Sequence, residues 1–508
     1  MLDGATDAAA VSPGADVWQP HPAARATGAH SGFPPVDHSA HAGREGPADR
    51  TTGTGERTVI QIFALHSGYG LMAAAAAIDA GLLGDAERIL VPMNTAKVPE
   101  TAIDLATAPR MRSLRARFDR IEPLNPLVDP RHPTAWQPDE QDLPLLERLF
   151  RRAWGIGDAE IELYVQSPQV APALTLMSLF RDARIGVIGD GLMTYSPIRS
   201  RLPRQITERV ARVVYPDVVP DVAPLVFTET GAERMPVPAA AFGVALQEMG
   251  DAAPDAALDA LAADGSRTAL VLGQYLSALR LVSADEETSM QVAMIDRAAS
   301  AGAERIVFKP HPSAPPGLRD ALATRATERG VAFAIYDGDQ PAEYVAQRLA
   351  ATDAVAGFST ALPTLRALSG IRTHAVGTRT VLARLSPFEN SNRMPVTIVD
   401  ALERDAFAAP GSLQRLVDAV GYAMQPEIMA HLRAGAVSWL ASVPASVRER
   451  YVPAERLRAL DLPGAPAATT AQRMLESAGG VGRVEELRLT AAGAKRRARR
   501  AWKAATGR

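Results

Sequence analysis

Three short polar motifs carry residue types that can do chemistry, and each one directly follows an apolar run typical of a buried strand. The first motif is Gly189-Asp190-Gly191, which comes after the run 184–188. Flanking glycines let the backbone turn sharply and leave the carboxylate uncovered. Asp190 is therefore a candidate general base toward a substrate hydroxyl group. For this motif alone, the alternative is a surface turn in which Asp190 caps the next segment.

The second motif is Lys309-Pro310-His311-Pro312, after the run 305–308. Two prolines fix the backbone on both sides of His311 and hold its imidazole at the edge of a sheet. An imidazole with an ammonium group nearby suits a phosphate leaving group. The alternative is a rigid loop with an exposed histidine.

The third motif is Gly357-Phe358-Ser359-Thr360, between the strand-like run 354–356 and a helical pattern that begins at 361. Two hydroxyl groups and the free N–H groups of a helix N-terminus form a natural phosphate site. Ordinary N-capping by Ser359 or Thr360 is the alternative. Taken together, the motifs put a base in the first half of the chain and phosphate-binding groups in the second. A nucleotide-sugar transferase needs this division of labour.

Strand and helix patterns alternate in both halves of the chain and must position these motifs. In the first half, a β-branched run at 58–65 is followed by the tight turn 66–70, an alanine-rich helix at 71–80 and a strand at 88–91. A further strand is predicted at 160–165. A second alternating series begins at 268. Such alternation predicts an α/β fold with two Rossmann-like domains and a cleft between them, the architecture called GT-B. Ligands are then expected at the carboxyl ends of the strands.

Domain boundaries are predicted where this alternation is lost. Residues 1–57 are rich in Ala, Gly, Pro and His without periodicity, and the stretch 231–265 also lacks a clear alternation. The predicted organisation is a disordered extension (1–57), an N-terminal acceptor domain (58–240), a linker (241–265), a C-terminal nucleotide-sugar donor domain (266–410), helices that pack across the domains (411–455) and a loose basic tail (456–508).

Composition excludes several classes of protein. The chain has 508 residues, a net charge of -3 and no cysteine. A near-neutral balance argues against nucleic acid as a partner, and the missing thiols exclude disulfides, thiolate catalysis and cysteine-ligated metals. The N-terminus resembles no signal peptide and no apolar run is long enough to span a bilayer, which predicts a cytoplasmic protein. The basic segment 495–503 predicts either peripheral contact with the inner face of an anionic membrane or a solvated charged terminus.

The motifs, in this order, resemble the acid-Gly, His-Pro and Ser-Ser/Thr motifs of bacterial sialyltransferases, especially the polysialyltransferase and lipooligosaccharide sialyltransferase group. The stretches Gly273-Gln-Tyr-Leu-Ser277, Phe308-Lys-Pro-His-Pro312 and Pro341-Ala-Glu-Tyr344 are also similar to that group. The resemblance covers about 58–377. It departs at Gly189, where the group usually has a second acid, and at Thr360, where it often has a serine.

The resemblance implies inverting, metal-independent transfer of sialic acid from CMP-sialic acid to a glycan or glycolipid acceptor, such as a capsular one. Asp190 and His311 would be catalytic. The predicted donor-binding residues are Lys309, Pro312, Gly273, Ser359, Thr360 and Glu343, and the predicted acceptor or cleft residues are His66, Ser67, Gly68 and Gly191. No cofactor is implied, and Asp337-Gly-Asp339, which could bind a metal–diphosphate complex, is interpreted as a turn.

Two alternatives stay open. One is a GT-B enzyme with another nucleotide-linked donor. The other is a nucleotide-sugar-binding protein that kept the cleft and lost its base, an alternative that Gly189 keeps open because it replaces one of the two acids.

Overall fold

A computed structural model describes residues 58–96, 103–278, 280–311 and 319–466. The predictions for the extension 1–57, for Pro312 and for the basic segment 495–503 lie outside the described residues.

The first half of the chain folds into a seven-stranded parallel sheet with the order β3-β2-β1-β4-β5-β6-β7. Its strands are β1 Val59–Leu65, β2 Glu87–Pro92, β3 Arg120–Ile121, β4 Glu160–Val165, β5 Arg184–Ile188, β6 Val210–Pro216 and β7 Glu233–Val237, and its helices are α1 Gly68–Asp79, α2 Arg112–Arg115, α3 Asn125–Val128, α4 Leu143–Ala153, α5 Ala173–Leu179 and α6 Arg204–Thr207. Because β1 lies between β2 and β4, the loops after β1 and β4 leave the sheet at a topological switch point.

The second half repeats the design with a five-stranded parallel sheet in the order β10-β9-β8-β11-β12. Its strands are β8 Thr268–Leu272, β9 Arg305–Lys309, β10 Ala332–Ile335, β11 Asp353–Ala356 and β12 Arg372–Ala375. The chain also forms helices α7 Ala239–Asp251, α8 Ala256–Ala262, α9 Ala284–Ser300, α10 Arg319–Glu328, α11 Ala342–Arg348, α12 Ala361–Ser369, α13 Thr378–Arg384 and α14 Arg393–Leu402. The switch point of this sheet lies between β8 and β11. The predicted α/β fold with two Rossmann-like units is confirmed by these two separate parallel sheets.

Small side chains let the helices lie close to the first sheet. Alanines 73–77 of α1 are fully buried, and strand β1 is buried from Ile60 to its end. A helix without bulky side chains on its buried side approaches the sheet closely, so the loop between β1 and α1 is held tightly at the sheet edge. That loop carries two of the predicted site residues, His66 and Ser67.

The stretch with no clear alternation in the sequence holds β7, α7 and α8, and α7 packs against helices of both halves. Gln340 Nε2, in the loop before α11, donates hydrogen bonds to the carbonyl oxygens of Gly250 (3.2 Å) and Ala253 (2.7 Å). The Tyr344 hydroxyl group donates to Asp251 over 2.8 Å. Helix α7 and its C-terminal end therefore form a structural bridge between the two halves.

The described residues 403–466 form four further α-helices, α15 Ser412–Met424, α16 Arg433–Ser442, α17 Ala445–Tyr451 and α18 Ala454–Ala459. Gln414 accepts a hydrogen bond from the backbone N–H of Ala223 (2.6 Å), which follows the first sheet's β6. The Tyr451 hydroxyl group donates to the buried carboxylate of Asp400 on α14 (2.7 Å). These helices thus contact both halves. None of the helices in the described part of the chain has the length and apolarity to cross a lipid bilayer.

Candidate active site at the carboxyl ends of the strands

Loops after β1, β4 and β5 meet at the switch point of the first sheet. His66 and Ser67 follow β1, Gln166 and Ser167 follow β4, and Asp190 lies two positions after β5. Parallel strands place their carboxyl ends at one edge of a sheet, so side chains far apart in the sequence come together here.

Gln166 holds these three loops in place. Its Nε2 group donates hydrogen bonds to Ser67 Oγ (2.7 Å) and to Asp190 Oδ1 (3.1 Å), and its Oε1 accepts from the His66 backbone N–H (3.2 Å). The amide lies so close to Gly70 that a Cβ atom there would collide with it. Gln166 thus fixes the direction in which the Asp190 carboxylate points.

Ser167 joins Asp190 to His66. Its hydroxyl group donates to Asp190 Oδ2 over 3.4 Å and lies 3.0 Å from His66 Nε2. The backbone of Ser167 has a φ of 55°, in the left-handed region that residues other than glycine rarely adopt. Burial lowers the pKa of His66, and the negative charge of Asp190 only partly opposes this effect. The lowered pKa favours the neutral form of the His66 imidazole.

The structure explains why glycine stands at position 189. A Cβ atom on Gly189 would lie 2.7 Å from Thr194 Oγ1 and 3.0 Å from the Cβ atom of Tyr215. Thr194 Oγ1 also accepts a hydrogen bond from the Asp190 backbone N–H over 2.7 Å, so this hydroxyl group is part of the turn that presents the carboxylate. An acidic side chain at position 189 has no space in this chain.

Asp190 and Ser167 lie in the wall of a cavity of about 320 Å³. The cavity is also lined by polar residues Gln169, Ser200 and Ser391, by Arg199, and by apolar residues that include Val170, Val187 and Met193. A few polar groups set among apolar ones are typical of a small-molecule site. Among the described residues that line it, none is a predicted donor-binding residue.

The corresponding edge of the second sheet carries the predicted donor-binding loops. Gly273 follows β8, and a Cβ atom at this position would lie 2.8 Å from the Phe308 ring and 3.2 Å from the His311 backbone nitrogen. Glycine therefore lets the loop after β9 lie directly against the loop after β8. His311 is exposed at this edge.

Lys309 is held within the second half. Its Nζ group donates to the Gly338 carbonyl oxygen over 2.7 Å and lies 4.9 Å from the centre of the Tyr336 ring. Burial lowers the pKa of Lys309, while nearby acidic groups, Asp339 foremost, oppose this shift. The ammonium group therefore lies below the loop rather than at its surface.

Ser359 and Thr360 lie at the N-terminus of α12, as the sequence predicts. Ser359 Oγ accepts a hydrogen bond from the Ala361 backbone N–H over 3.2 Å, whereas the side chain of the N-cap residue Thr360 makes no capping hydrogen bond and is exposed. Gln274 Oε1 accepts from the Phe358 backbone N–H over 2.9 Å and anchors this loop to the loop after β8. The helix N-terminus and the exposed hydroxyl group suit an anionic ligand.

Glu343, near the start of α11, interacts electrostatically with groups in both halves of the chain. Burial raises the pKa of Glu343, and Lys309 opposes the shift. Burial also raises the pKa of Tyr69 in the first half, and both Glu343 and Asp190 raise it further. Tyr69 thus experiences the charge of Asp190 in its own half and of Glu343 in the other.

The remaining predicted residues lie around this network. Gly191 has a φ of +55° and faces the Tyr69 ring, since a Cβ atom there would lie 3.8 Å from Tyr69 Cζ. Gly68, predicted to line the cleft, begins α1 and faces Met111, whose Cε atom would lie 2.9 Å from an added Cβ.

Sequence reasoning missed three residues of the site, namely Gln166, Ser167 and Tyr69. The available signal was position. Gln166 and Ser167 directly follow a strand that the sequence pattern predicts, and Tyr69 lies in the predicted turn after β1. Searching every strand end for polar side chains, rather than for known motifs, would have found them.

Both carboxylates of the Asp-x-Asp pattern, Asp337 and Asp339, pair with arginines. Asp337 accepts two hydrogen bonds of 2.7 Å from Arg319, and Asp339 pairs with Arg110 of the first half over 2.5 Å. Within the described ranges, no group of three or more acidic or histidine side chains is arranged to hold a metal ion.

Comparisons with known proteins concern family and fold. The family model "Alpha-2,8-polysialyltransferase" matches residues 61–378. No curated protein sequence matches the chain. Among solved structures, the GT-B domain of a sialyltransferase from Photobacterium damselae is 11% identical, with a TM-score of 0.37, over 68% of this chain and 96% of that one. MurG from Acinetobacter baumannii is 11% identical, with a TM-score of 0.36, over 80% of this chain and 98% of that one. A 2,6-sialyltransferase from Photobacterium sp. JT-ISH-224, solved with CMP and lactose, is 11% identical, with a TM-score of 0.35, over 70% of this chain and 76% of that one.

Proposed function

Because the chain belongs to the alpha-2,8-polysialyltransferase family and is a glycosyltransferase, we propose that it transfers sialic acid from CMP-sialic acid to a hydroxyl group of a glycan or glycolipid acceptor, with inversion and without a metal ion. One observation carries the proposal. Asp190 is oriented by Gln166 and Ser167 at the wall of a cavity large enough for a sugar ring.

Asp190 acts as the general base in the proposed reaction. An acceptor hydroxyl group in the cavity gives its proton to the Asp190 carboxylate as its oxygen forms a bond to the anomeric carbon of the donor sugar. The bond between that carbon and the phosphate oxygen breaks, and its electron pair leaves with CMP. Attack from the side opposite the leaving group inverts the configuration. General-base help of this kind contributes on the order of 10²–10⁴-fold.

Residues of the second half stabilise the departing phosphate in the proposal. Ser359, Thr360 and the N-terminus of α12 supply hydroxyl and N–H donors, and His311 supplies an imidazole at the neighbouring loop. Donors placed where negative charge develops lower the barrier most. Lys309 contributes positive charge from below the loop, and Glu343 is proposed to contact the donor at the start of α11.

The proposal also includes a reaction that needs no metal ion and a location of the enzyme in the cytoplasm. The two carboxylates of the Asp-x-Asp pattern, Asp337 and Asp339, are paired with arginines, and a donor with one phosphate needs less charge neutralisation than a diphosphate. We propose a cytoplasmic enzyme whose basic C-terminal tail, outside the described residues, contacts the membrane that carries the acceptor.

Thermal shift against a panel of nucleotides tests the donor, and transfer from CMP-sialic acid tests the reaction. A ligand at a hundred times its Kd stabilises a protein by about 2.7 kcal/mol. We expect such stabilisation by CMP and not by UDP, GDP or ADP, and we expect transfer to continue in a chelating buffer. Selective stabilisation by another nucleotide would point to a different donor. CMP binding without any transfer or hydrolysis would support the non-catalytic alternative.

A further inference from the structure

His66 and Ser167 form a hydrogen-bonded chain behind the proposed base that the reaction described above does not use. His66 Nε2 lies 3.0 Å from Ser167 Oγ, and Ser167 Oγ donates to Asp190 Oδ2 over 3.4 Å. The carboxylate that receives a proton from the acceptor is thus connected to an imidazole through one hydroxyl group. His66 is only partly buried and can return a proton to water.

The backbone of Ser167 gives an independent reason to assign it a function. A serine with a φ of 55° has a strained backbone, and such strain is concentrated at functional sites. The strained conformation places the hydroxyl group between His66 and Asp190 and at the wall of the cavity. Glycine would adopt this backbone without cost but would supply no hydroxyl group.

We propose that Ser167 and His66 are a proton relay that restores the Asp190 carboxylate after each transfer, an inference that rests on the proposed function of Asp190. The relay uses the tautomer of His66 that carries its proton on Nδ1 and leaves Nε2 free to accept. Once Asp190 holds the acceptor's proton, the Ser167 hydroxyl group turns from Oδ2 to donate to His66 Nε2. Asp190 Oδ2 then passes its proton to Ser167 Oγ as Ser167 passes its own hydroxyl proton to His66 Nε2. One proton moves from the carboxyl group to the imidazole, and no bond between heavy atoms forms or breaks. An imidazole is ordinarily a stronger base than a carboxylate, which favours transfer to His66, although burial lowers the pKa of His66 and reduces this advantage.

The residues around the relay leave this path free of competing groups. Gln166 donates to the other carboxylate oxygen, Asp190 Oδ1, and leaves Oδ2 for Ser167. The titratable groups that face the relay are Asp190 itself, Tyr69 on α1 and, beyond Tyr69, Glu343 on α11. Burial raises the pKa of both Tyr69 and Glu343, so Tyr69 stays protonated at neutral pH and does not compete for the proton.

A double-mutant cycle tests the relay with CMP-sialic acid and a glycan acceptor. Ser167→Ala removes the middle of the chain, and His66→Gln keeps a polar side chain that cannot titrate. Each variant should lower kcat about tenfold, the equivalent of one hydrogen bond to a charged group, with the KM of donor and acceptor unchanged. Because the two residues act as one unit, the double variant should be no slower than either single one. Multiplied effects in the double variant would overturn the relay.

The pH profile of kcat separates a relay from a purely structural contact. In the wild type, activity should fall at low pH as His66 becomes protonated and can accept no further proton, and this limb should shift to lower pH in His66→Gln. An unchanged limb overturns the relay. Ser178→Ala is the matched control, because it removes a serine hydroxyl group that bonds only to the Leu174 carbonyl oxygen of α5 (2.9 Å). This variant should keep wild-type kcat.

The same experiments distinguish failure of the relay from failure of the donor assignment. If the wild-type protein uses another nucleotide sugar, CMP-sialic acid is disproved as the donor. The double-mutant cycle can then be measured with the nucleotide sugar that is used, and it still tests the relay. A wild type that turns over no nucleotide sugar refutes both, since Asp190 then receives no proton to pass on.

Discussion

Replacing Asp190 with asparagine removes the proposed base while it keeps the shape and the hydrogen bonds of the site. Asparagine Oδ1 can accept the hydrogen bond that Gln166 Nε2 now donates over 3.1 Å, and its Nδ2 group can donate to Ser167 Oγ. The hydrogen bond from the backbone N–H of residue 190 to Thr194 Oγ1 does not involve the side chain. The substitution therefore separates chemistry from positioning.

The expected loss in rate follows from these contacts. An amide cannot accept the acceptor's proton, so the variant should lose the 10²–10⁴-fold contribution of general-base catalysis, or about 2.7–5.5 kcal/mol of transition-state stabilisation. Folding should change far less, because a typical hydrogen bond contributes only about 0.5–1.5 kcal/mol and the variant keeps its partners. Donor binding should also be unchanged, since the proposed donor residues lie in the second half.

Three measurements on one preparation check this expectation: kcat for transfer from CMP-sialic acid, the Kd of CMP, and the melting temperature. Asp217→Asn is a matched control, because Asp217 follows β6 at the same edge of the same sheet. It should keep wild-type kcat. An Asp190→Asn variant that retains more than a tenth of wild-type kcat would refute Asp190 as the base. A loss of CMP binding in parallel with kcat would show that Asp190 acts through the structure of the site instead.

Three further substitutions have expected outcomes. Gly189→Ala should lower the free energy of unfolding by about 1–3 kcal/mol, because the added Cβ atom meets Thr194 Oγ1 at 2.7 Å. Chemical denaturation measures this loss of stability, and an unchanged stability would contradict the steric explanation for glycine at position 189. Lys309→Met should raise the KM of the donor about tenfold and change the KM of the acceptor little, because it removes a positive charge from the proposed donor-binding half. Initial rates at varied donor concentration measure this effect, and an unchanged donor KM would show that Lys309 does not contribute to donor binding. Asp400→Asn should cost about 1–3 kcal/mol of unfolding free energy, because it removes the buried carboxylate that pairs with the partly buried Arg450 guanidinium. Burial acts to raise the pKa of Asp400, but the hydrogen bonds from Arg450 and other donors outweigh it and lower the pKa, so this stability is present above the ordinary carboxyl range near 3.9 and is lost as pH falls below it. A variant whose acid-unfolding curve matches that of the wild type would contradict this role.

Periodicity and strand-end motifs in the sequence predict the elements that carry the site. The predicted strand at 160–165 and the strands that precede the three motifs all form, because segments rich in β-branched and apolar residues have few stable alternatives to a buried parallel strand. The bridge helix α7 was missed. Its sequence is rich in alanine and flanked by prolines, so the contrast between buried and exposed positions is too weak to show a helical period.

The position of a single residue can be predicted from the sequence only when its neighbours along the chain determine that position. The position of Ser359 and Thr360 at a helix N-terminus is a local property, and the structure has them there. The place of Lys309 is not local. Its ammonium group donates to Gly338 in the loop after β10, which lies nearby because β10 pairs with β9, and no pattern near Lys309 carries that information.

By itself, the sequence determined the strands that precede the three motifs, the polar residues that follow those strands and, through the order of the motifs, the family. Only the tertiary structure decided which strand ends are neighbours. His66 and Gln166 are 100 positions apart, and they meet because β4 pairs with β1 on the side that β2 does not occupy. A hydrophobic pattern indicates that a strand is buried, but it does not indicate which strands are its neighbours in the sheet. The environment of Asp190 therefore follows from the packing of the whole sheet.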